Sequence, residues 1–459
     1  MAISLKNKSS AGVINMTEGS PYKHILAFAL PFLLSQVFQQ LYNTADMFIV
    51  GHYLGTEALA AVSSSGMLIT LLTSFFVGAA LGAGVVISKY FGAGDSHNVS
   101  RSIHSIIAFG LITGVMLTIV GVTLTPTFLV WMNTNPDVLP LAIEYFRYYF
   151  FGVLATVMYN LCKSILNALG DSRRPLYYLI ISSLLNIFLD ILFIGVFDWG
   201  VWAAAAATVI SQFVSFVLCF INLLKKNEVY TVEIRKIRLH LDMLVEILRY
   251  GLPSGIQNCV ICLANVIIQS YVNVFGTYAM AAFGTHNKLQ GLAFMPIMSF
   301  NMATTTFIGQ NLGAKKYDRA KIGARFGIIT PVILAELIGL AFYIWAPQLI
   351  SLFDSTPGVV ELGVLHTRIV CFSFFALAFS HAVASVCRGA GKAFVPMAIM
   401  LSIWCVVRII YIVIVMRLFG DIKYIYWAYP ISWGISSVIY LFYYLFSDWL
   451  HGFEKVRRA

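Results

Sequence analysis

The sequence predicts an all-α polytopic membrane protein: twelve transmembrane helices in two six-helix lobes, related by a pseudo-two-fold along the membrane normal. Three observations lead there: an apolar composition, its division into span-length segments, and an internal repeat. The 459 residues are 59% hydrophobic and only 11% charged, with a mean hydropathy of +0.83. A soluble domain carries about 25% charged residues, so this chain is built for a solvent other than water.

Hydropathy marks the elements in order at 25–50, 58–84, 101–124, 142–167, 176–197, 200–224, 247–275, 279–310, 324–346, 361–387, 395–418 and 424–450. Each is long enough for a hydrocarbon core of about 30 Å at about 1.5 Å per residue. Spans longer than that predict tilt, kinks or extensions beyond the bilayer. No cleavable signal peptide is visible, so the first helix is expected to serve as the insertion signal.

ILAFALP at 25–31 recurs as ILRYGLP at 247–253, FGAGD around Gly92 as LGAKK around Gly313, and ALGDSRRP around Gly170 as GAGKAFVP around Gly391. The offset is 221 or 222 each time. Six spans separate the copies, an even number, so the halves run parallel. The expected domains are an amino-terminal tail (1–24), an N-lobe (25–224), a linker (225–246), a C-lobe (247–450) and a tail (451–459).

The net charge of +10 is topology rather than a nucleic-acid patch, because 24 of the 30 basic residues fall in alternate loops on one side. The opposite loops hold only Arg417 and Lys423. The positive-inside rule then makes both termini cytoplasmic. Trp131, Trp199, Trp202, Trp345 and Trp427 flank the outer loops as an interfacial belt. That side assignment argues against glycosylation of the three asparagine sequons, beginning at Asn7, Asn15 and Asn98. Seven scattered cysteines give no disulfide framework, and Cys259-x-x-Cys262 falls inside an apolar segment.

Two aspartates interrupt the apolar runs, Asp46 in the first and Asp190 in the fifth. A carboxylate in hydrocarbon costs about 2.5 kcal/mol or more, so each marks a site unless a buried base neutralises it. Asn186 lies one turn before Asp190, and Tyr42 and Asn43 one turn before Asp46. Thr208 lies in WAAAAATVISQ, whose small side chains permit close helix packing. Two carboxylates in low dielectric resist double ionisation. They are therefore candidates to hold H⁺, or Na⁺ with amide and hydroxyl oxygens. Interhelical hydrogen bonding is the plainer role for Asn186 and Thr208. Pro31 removes a helix hydrogen bond and is the candidate hinge. Shifted by the repeat, Asp46 falls on Ile267 or Ile268 and Asp190 on Tyr411 or Ile412, so the coupling chemistry belongs to the first lobe. Glu336 is left to face a cavity or to pair with Arg408, and Lys288 to snorkel outward.

These features resemble the multidrug and toxic compound extrusion (MATE) family over nearly the whole chain. Carrying the resemblance are Pro31-x14-Asp46, the following DMFIVG, KYFGAGD, NIFLD with Asn186 and Asp190, and ATVISQ with Thr208. The pattern looks like the prokaryotic DinF-like branch. The resemblance implies an efflux antiporter driven by an inward H⁺ or Na⁺ gradient, with coupling residues Asp46, Asn186, Asp190 and Thr208. It implies cavity residues Tyr42, Asn43 and Tyr145. Ile261 stands where the NorM-like branch carries an acid.

The expected function is export of amphipathic, cationic organic compounds by alternating access, from a monomer in the plasma membrane. An aromatic cavity would suit such cations. The alternative is a lipid-linked oligosaccharide flippase of the same superfamily, for which Arg147, Lys288 and Arg408 leave an opening. No catalytic signature or phosphate loop is present, and no enzyme activity, cofactor, resident metal or nucleic-acid partner is expected.

Overall fold

The computed structural model describes residues 14–131, 134–225 and 231–455, the side chains at 64–68, 70–72 and 455 excepted. Lys6, Lys8, the Asn7 sequon, Lys226, Arg457 and Arg458 lie outside the described residues. The regular elements described are all helical. They are α1 (Pro21–Tyr53), α2 (Gly55–Gly92), α3 (Ser96–Trp131), α4 (Leu139–Phe151), α5 (Val153–Ala168), α6 (Arg173–Asp190) and α7 (Trp202–Leu224). Then come α8 (Leu241–Asn273), α9 (Thr277–Gly313), α10 (Tyr317–Ile344), α11 (Ala346–Ser351), α12 (Pro357–Cys371), α13 (Phe374–Gly389), α14 (Phe394–Met400), α15 (Arg408–Leu418), α16 (Ile422–Phe446) and α17 (Gly452–Lys455). π-helical turns extend α6 over Ile191–Val196 and join α14 to α15 over Leu401–Val407.

Nine described helices are long and apolar enough to cross a membrane. Two bent pairs, α4–α5 at 50° and α12–α13 at 52°, each make one broken span. With α16, whose 25 residues are diluted in hydropathy by tyrosine, tryptophan and serine, the spans number twelve. Trp131, Trp345 and Trp427 project at their ends, 75%, 54% and 45% exposed.

The chain divides into two compact units. One is mainly Leu34–Leu252, and the other joins Met16–Leu33 to Pro253–Ala459. The changeover falls just after Pro31 in α1 and between Leu252 and Pro253 in α8, at repeat-equivalent places. Helix α1 runs unbroken through Pro31.

Within each unit the neighbours repeat. In the first, α3 packs on α4 and α5, α5 on α2 and α7, and α7 on α6. In the second, α10 packs on α12 and α13, α13 on α9 and α16, and α16 on α15. Each unit also holds the start of a long helix. In the first, Glu246 of α8 accepts from Lys89 Nζ at 2.6 Å and from the Tyr90 hydroxyl at 2.8 Å, and Asp242 accepts from Arg101 at 2.8 Å. In the second, the Met16 carbonyl accepts from Arg319 Nη2 at 3.0 Å and Asn311 Nδ2 at 3.2 Å, just ahead of α1.

Glycine permits close approaches in the first unit, as at α2 and at the α4–α5 bend. A Cβ on Gly82 of α2 would meet the backbone of Ile247 and Gly251 of α8. One on Gly152, at the α4–α5 bend, would overlap Val209 of α7. In membranes, where apolar burial drives little association, such contacts carry helix packing.

Candidate functional site

The site is assembled on one face of α1, one face of α6 and the polar stripe of α7, all within the first unit. Along α1 the buried positions Ser35, Tyr42, Asp46, Ile49 and Val50 recur at helical spacing. Along α6 and its π turn they are Leu179, Ser182, Ser183, Asn186, Asp190 and Ile194. Asp190 closes the regular helix at the point where π geometry begins, an irregularity frequent at functional sites. The alanines of α7 leave that helix smooth, and its polar stripe is Ser211, Gln212 and Ser215.

Asp46 is 9% exposed and Asp190 fully buried. Their carboxyls interact with each other, and the phenol of Tyr145 lies in the field of both. Yet neither oxygen of Asp190, nor Oδ1 of Asp46, nor either amide atom of Asn186 has a hydrogen-bond partner. Gln212 Oε1 and the hydroxyls of Ser183, Ser211 and Ser215 are likewise buried without partners. Leaving such a group unsatisfied costs about 1–3 kcal/mol. These oxygens and amides are the kind of polar groups that a bound water, ion or polar ligand satisfies.

Among the described residues, no ion pair engages Asp46 or Asp190. The first unit's ion pairs lie elsewhere, at Lys89–Glu246, Arg101–Asp242, Arg174–Asp171 and Lys236–Glu233. Among the described residues, neither acid is neutralised by a buried base.

Of the expected site residues, Tyr42, Asp46, Tyr145, Asn186 and Asp190 are buried together. Thr208 is half-buried on α7, and neither Asp190 nor Oδ1 of Asp46 accepts from it. Asn43 is exposed, on a neighbouring face of α1. Two participants escaped the sequence reading. Gln212 lies within reach of the Tyr42 phenol, and Tyr149 stacks on Tyr145 with centroids 6.4 Å apart. Both were one helical turn from residues already singled out, which is the signal that would have found them.

Glu336 neither pairs with Arg408 nor hangs free. Its Oε2 accepts the backbone N–H of Phe375 at 3.1 Å, supplying a cap where α13 restarts after the 52° bend. Arg408 instead donates through Nε to Ser432 at 2.8 Å. Lys288 is exposed with its ammonium 5.6 Å from the Phe353 ring, as snorkelling predicts. All seven cysteines are thiols.

Twelve spans in two repeated units, with acids buried among the helices, are the architecture of a multi-pass membrane transporter. The MatE family profile matches residues 31–192 and again residues 253–414, reproducing the repeat. The chain belongs to the MatE family. A probable multidrug resistance protein, YoeA of Bacillus subtilis, is 29% identical over 93% of this chain and 94% of its own. An FAD transporter of Shewanella oneidensis is 26% identical over 73% of this chain and 75% of its own. Among solved structures, an outward-facing multidrug resistance MATE family transporter of the MOP superfamily superposes with a TM-score of 0.87. It is 24% identical and covers 98% of this chain and 99% of its own.

Proposed function

We propose that this protein is a secondary antiporter that exports amphipathic, cationic organic compounds in exchange for H⁺ or Na⁺. The observation that carries the reading is the buried acid pair Asp46–Asp190, with both Asp190 oxygens and Asp46 Oδ1 lacking a hydrogen-bond partner and Asn186 one turn away. Two facing carboxylates in low dielectric repel, and one proton shared between them supplies the missing hydrogen bond and removes a charge. A Na⁺ among the same oxygens does the equivalent with ligands of the hard type that ion prefers.

In the cycle, the outward-facing protein takes the cation onto Asp46 and Asp190, α1 bends near Pro31, and the organic compound leaves. Inward-facing, the cation departs to the cytoplasm and a new organic cation is drawn to the vacated charge. Coupling follows because the acid pair binds one cation class at a time. Tyr42 and Tyr145 line the substrate side, where phenol faces attract organic cations. Asn43 and Thr208 contribute polar contacts in the state that brings them inward. The protein is a monomer in the plasma membrane with both termini cytoplasmic, which the one-sided basic loops support.

The relatives include a probable multidrug resistance protein, which supports an organic substrate. Of the three bases a flippase could draw on, Arg147 and Lys288 are exposed and Arg408 is buried. The test is dye efflux in vesicles under an imposed ΔpH or ΔpNa, for the wild type and Asp46→Asn. Gradient-driven efflux in the wild type alone is the expected result. Equal transport by both under every gradient would refute the coupling.

A further inference from the structure

The repeat assigns each residue of the acid site a counterpart in the second unit, and those counterparts have opposite polarity. Burial fixes the register: Ile268 (fully buried) rather than Ile267 answers Asp46, and Ile412 (1% exposed) answers Asp190. In the same frame Arg408 stands for Asn186, and, one residue closer, His366 for Tyr145 and Tyr429 for Thr208.

Around these positions the second unit gathers bases where the first gathers acids. His366 is 1% exposed, with its ring centroid 3.8 Å from His286 and 4.0 Å from Tyr426. Arg408 is 4% exposed and lies over the Tyr429 face at 4.6 Å, a ring that is also 6.2 Å from His366. One hydrogen bond joins His286 Nδ1 to Thr367 at 3.0 Å. Both ring nitrogens of His366, His286 Nε2, the Tyr426 hydroxyl and Arg408 Nη2 have no partner. A buried guanidinium keeps its charge and is costly without an anion.

We propose that this cluster is an oxyanion site: Arg408, with His366 and His286, receives a carboxylate or phosphate group carried by the transported compound. The proposal rests on the transporter reading and extends its substrates to zwitterions. A guanidinium fork matches an oxyanion geometrically, and imidazole N–H groups complete the set of donors. The neighbouring acids are committed elsewhere or outward: Glu336 is bonded to Phe375, and Glu361 is exposed.

The test uses the purified full-length protein and two dyes of one scaffold, rhodamine B with its free carboxylate and the ethyl ester that lacks it. Binding is followed by fluorescence anisotropy. The wild type should prefer the free acid by about tenfold, the scale of one charge-assisted contact. Arg408→Asn and His366→Tyr, which install the first unit's residues at these places, should each lower that preference without changing affinity for the ester. Inorganic phosphate should compete with the acid and not with the ester. If Arg408→Asn does not survive purification, His366→Tyr carries the same outcomes. Absence of a preference in the wild type, or an unchanged preference in the variants, overturns the site. If neither dye binds, phosphate decides through the fluorescence of Trp404, which lies 5.6 Å from the Arg408 guanidinium. A saturable change lost in the variant supports the site, and no change overturns it. Asp46→Asn should keep the acid-over-ester preference, so failure of coupling and failure of this site are distinguishable.

Discussion

The two units share a scaffold and differ in what they bury. Bent spans of 50° and 52° and the same order of neighbours show that the backbone plan was kept. At equivalent buried positions, however, the first unit holds Asp46, Asn186 and Asp190 where the second holds Ile268, Arg408 and Ile412. The lesson is that a duplicated membrane fold keeps its helix packing plan while the side chains at its few interior polar positions change in both size and polarity. Function diverges there, because helix backbones satisfy themselves and leave those side chains to the ligand.

Substitution can break this comparison most sharply at the acids. Asp190→Asn and Asp46→Asn should each abolish gradient-driven efflux to the level of empty vesicles, while Ile412→Asn, its counterpart in the second unit, should leave coupling intact. Loss of coupling in Ile412→Asn as well would show that the units do not divide the work as described.

Next in size is the close approach of α2 to the start of α8 through Gly82. Gly82→Val places a side chain against the backbone of Ile247 and Gly251, which has no rotamer to yield. Overpacking of this kind costs about 1–3 kcal/mol or more, and thermal unfolding in detergent should show it as a lowered midpoint. An unchanged midpoint would mean that α2 and the start of α8 separate freely.

A smaller effect tests how the second unit supports its bend. Glu336→Ala removes the acceptor for the Phe375 N–H and should cost about 0.5–2 kcal/mol, with cation coupling unaffected. A loss of coupling without loss of stability would instead make Glu336 part of the transport machinery.

The least effect belongs to the ion pairs that seat α8. Glu246→Gln breaks the half-buried pair with Lys89 and the bond from Tyr90, and it should destabilise more than Asp242→Asn. Asp242 is 55% exposed in its side chain, and its pair with Arg101 is worth about 0–1 kcal/mol and screened by salt. A larger, salt-independent loss from Asp242→Asn would reverse the ranking.

By itself the sequence determined the spans, the repeat and the two acids. These are local or periodic signals: hydrocarbon thickness sets segment length, an offset of 222 is visible in the letters, and an aspartate among leucines stands out. Asn186 was legible for the same reason, one turn from Asp190. The tertiary structure alone decided which face each polar residue turns inward. It separated Tyr42 from its exposed neighbour Asn43, brought Gln212 to Tyr42, set Glu336 as a cap rather than a partner of Arg408, and brought His286 against His366 across 80 residues of chain. No periodicity predicts such meetings, because helix rotation is fixed by packing against neighbours that are distant in sequence.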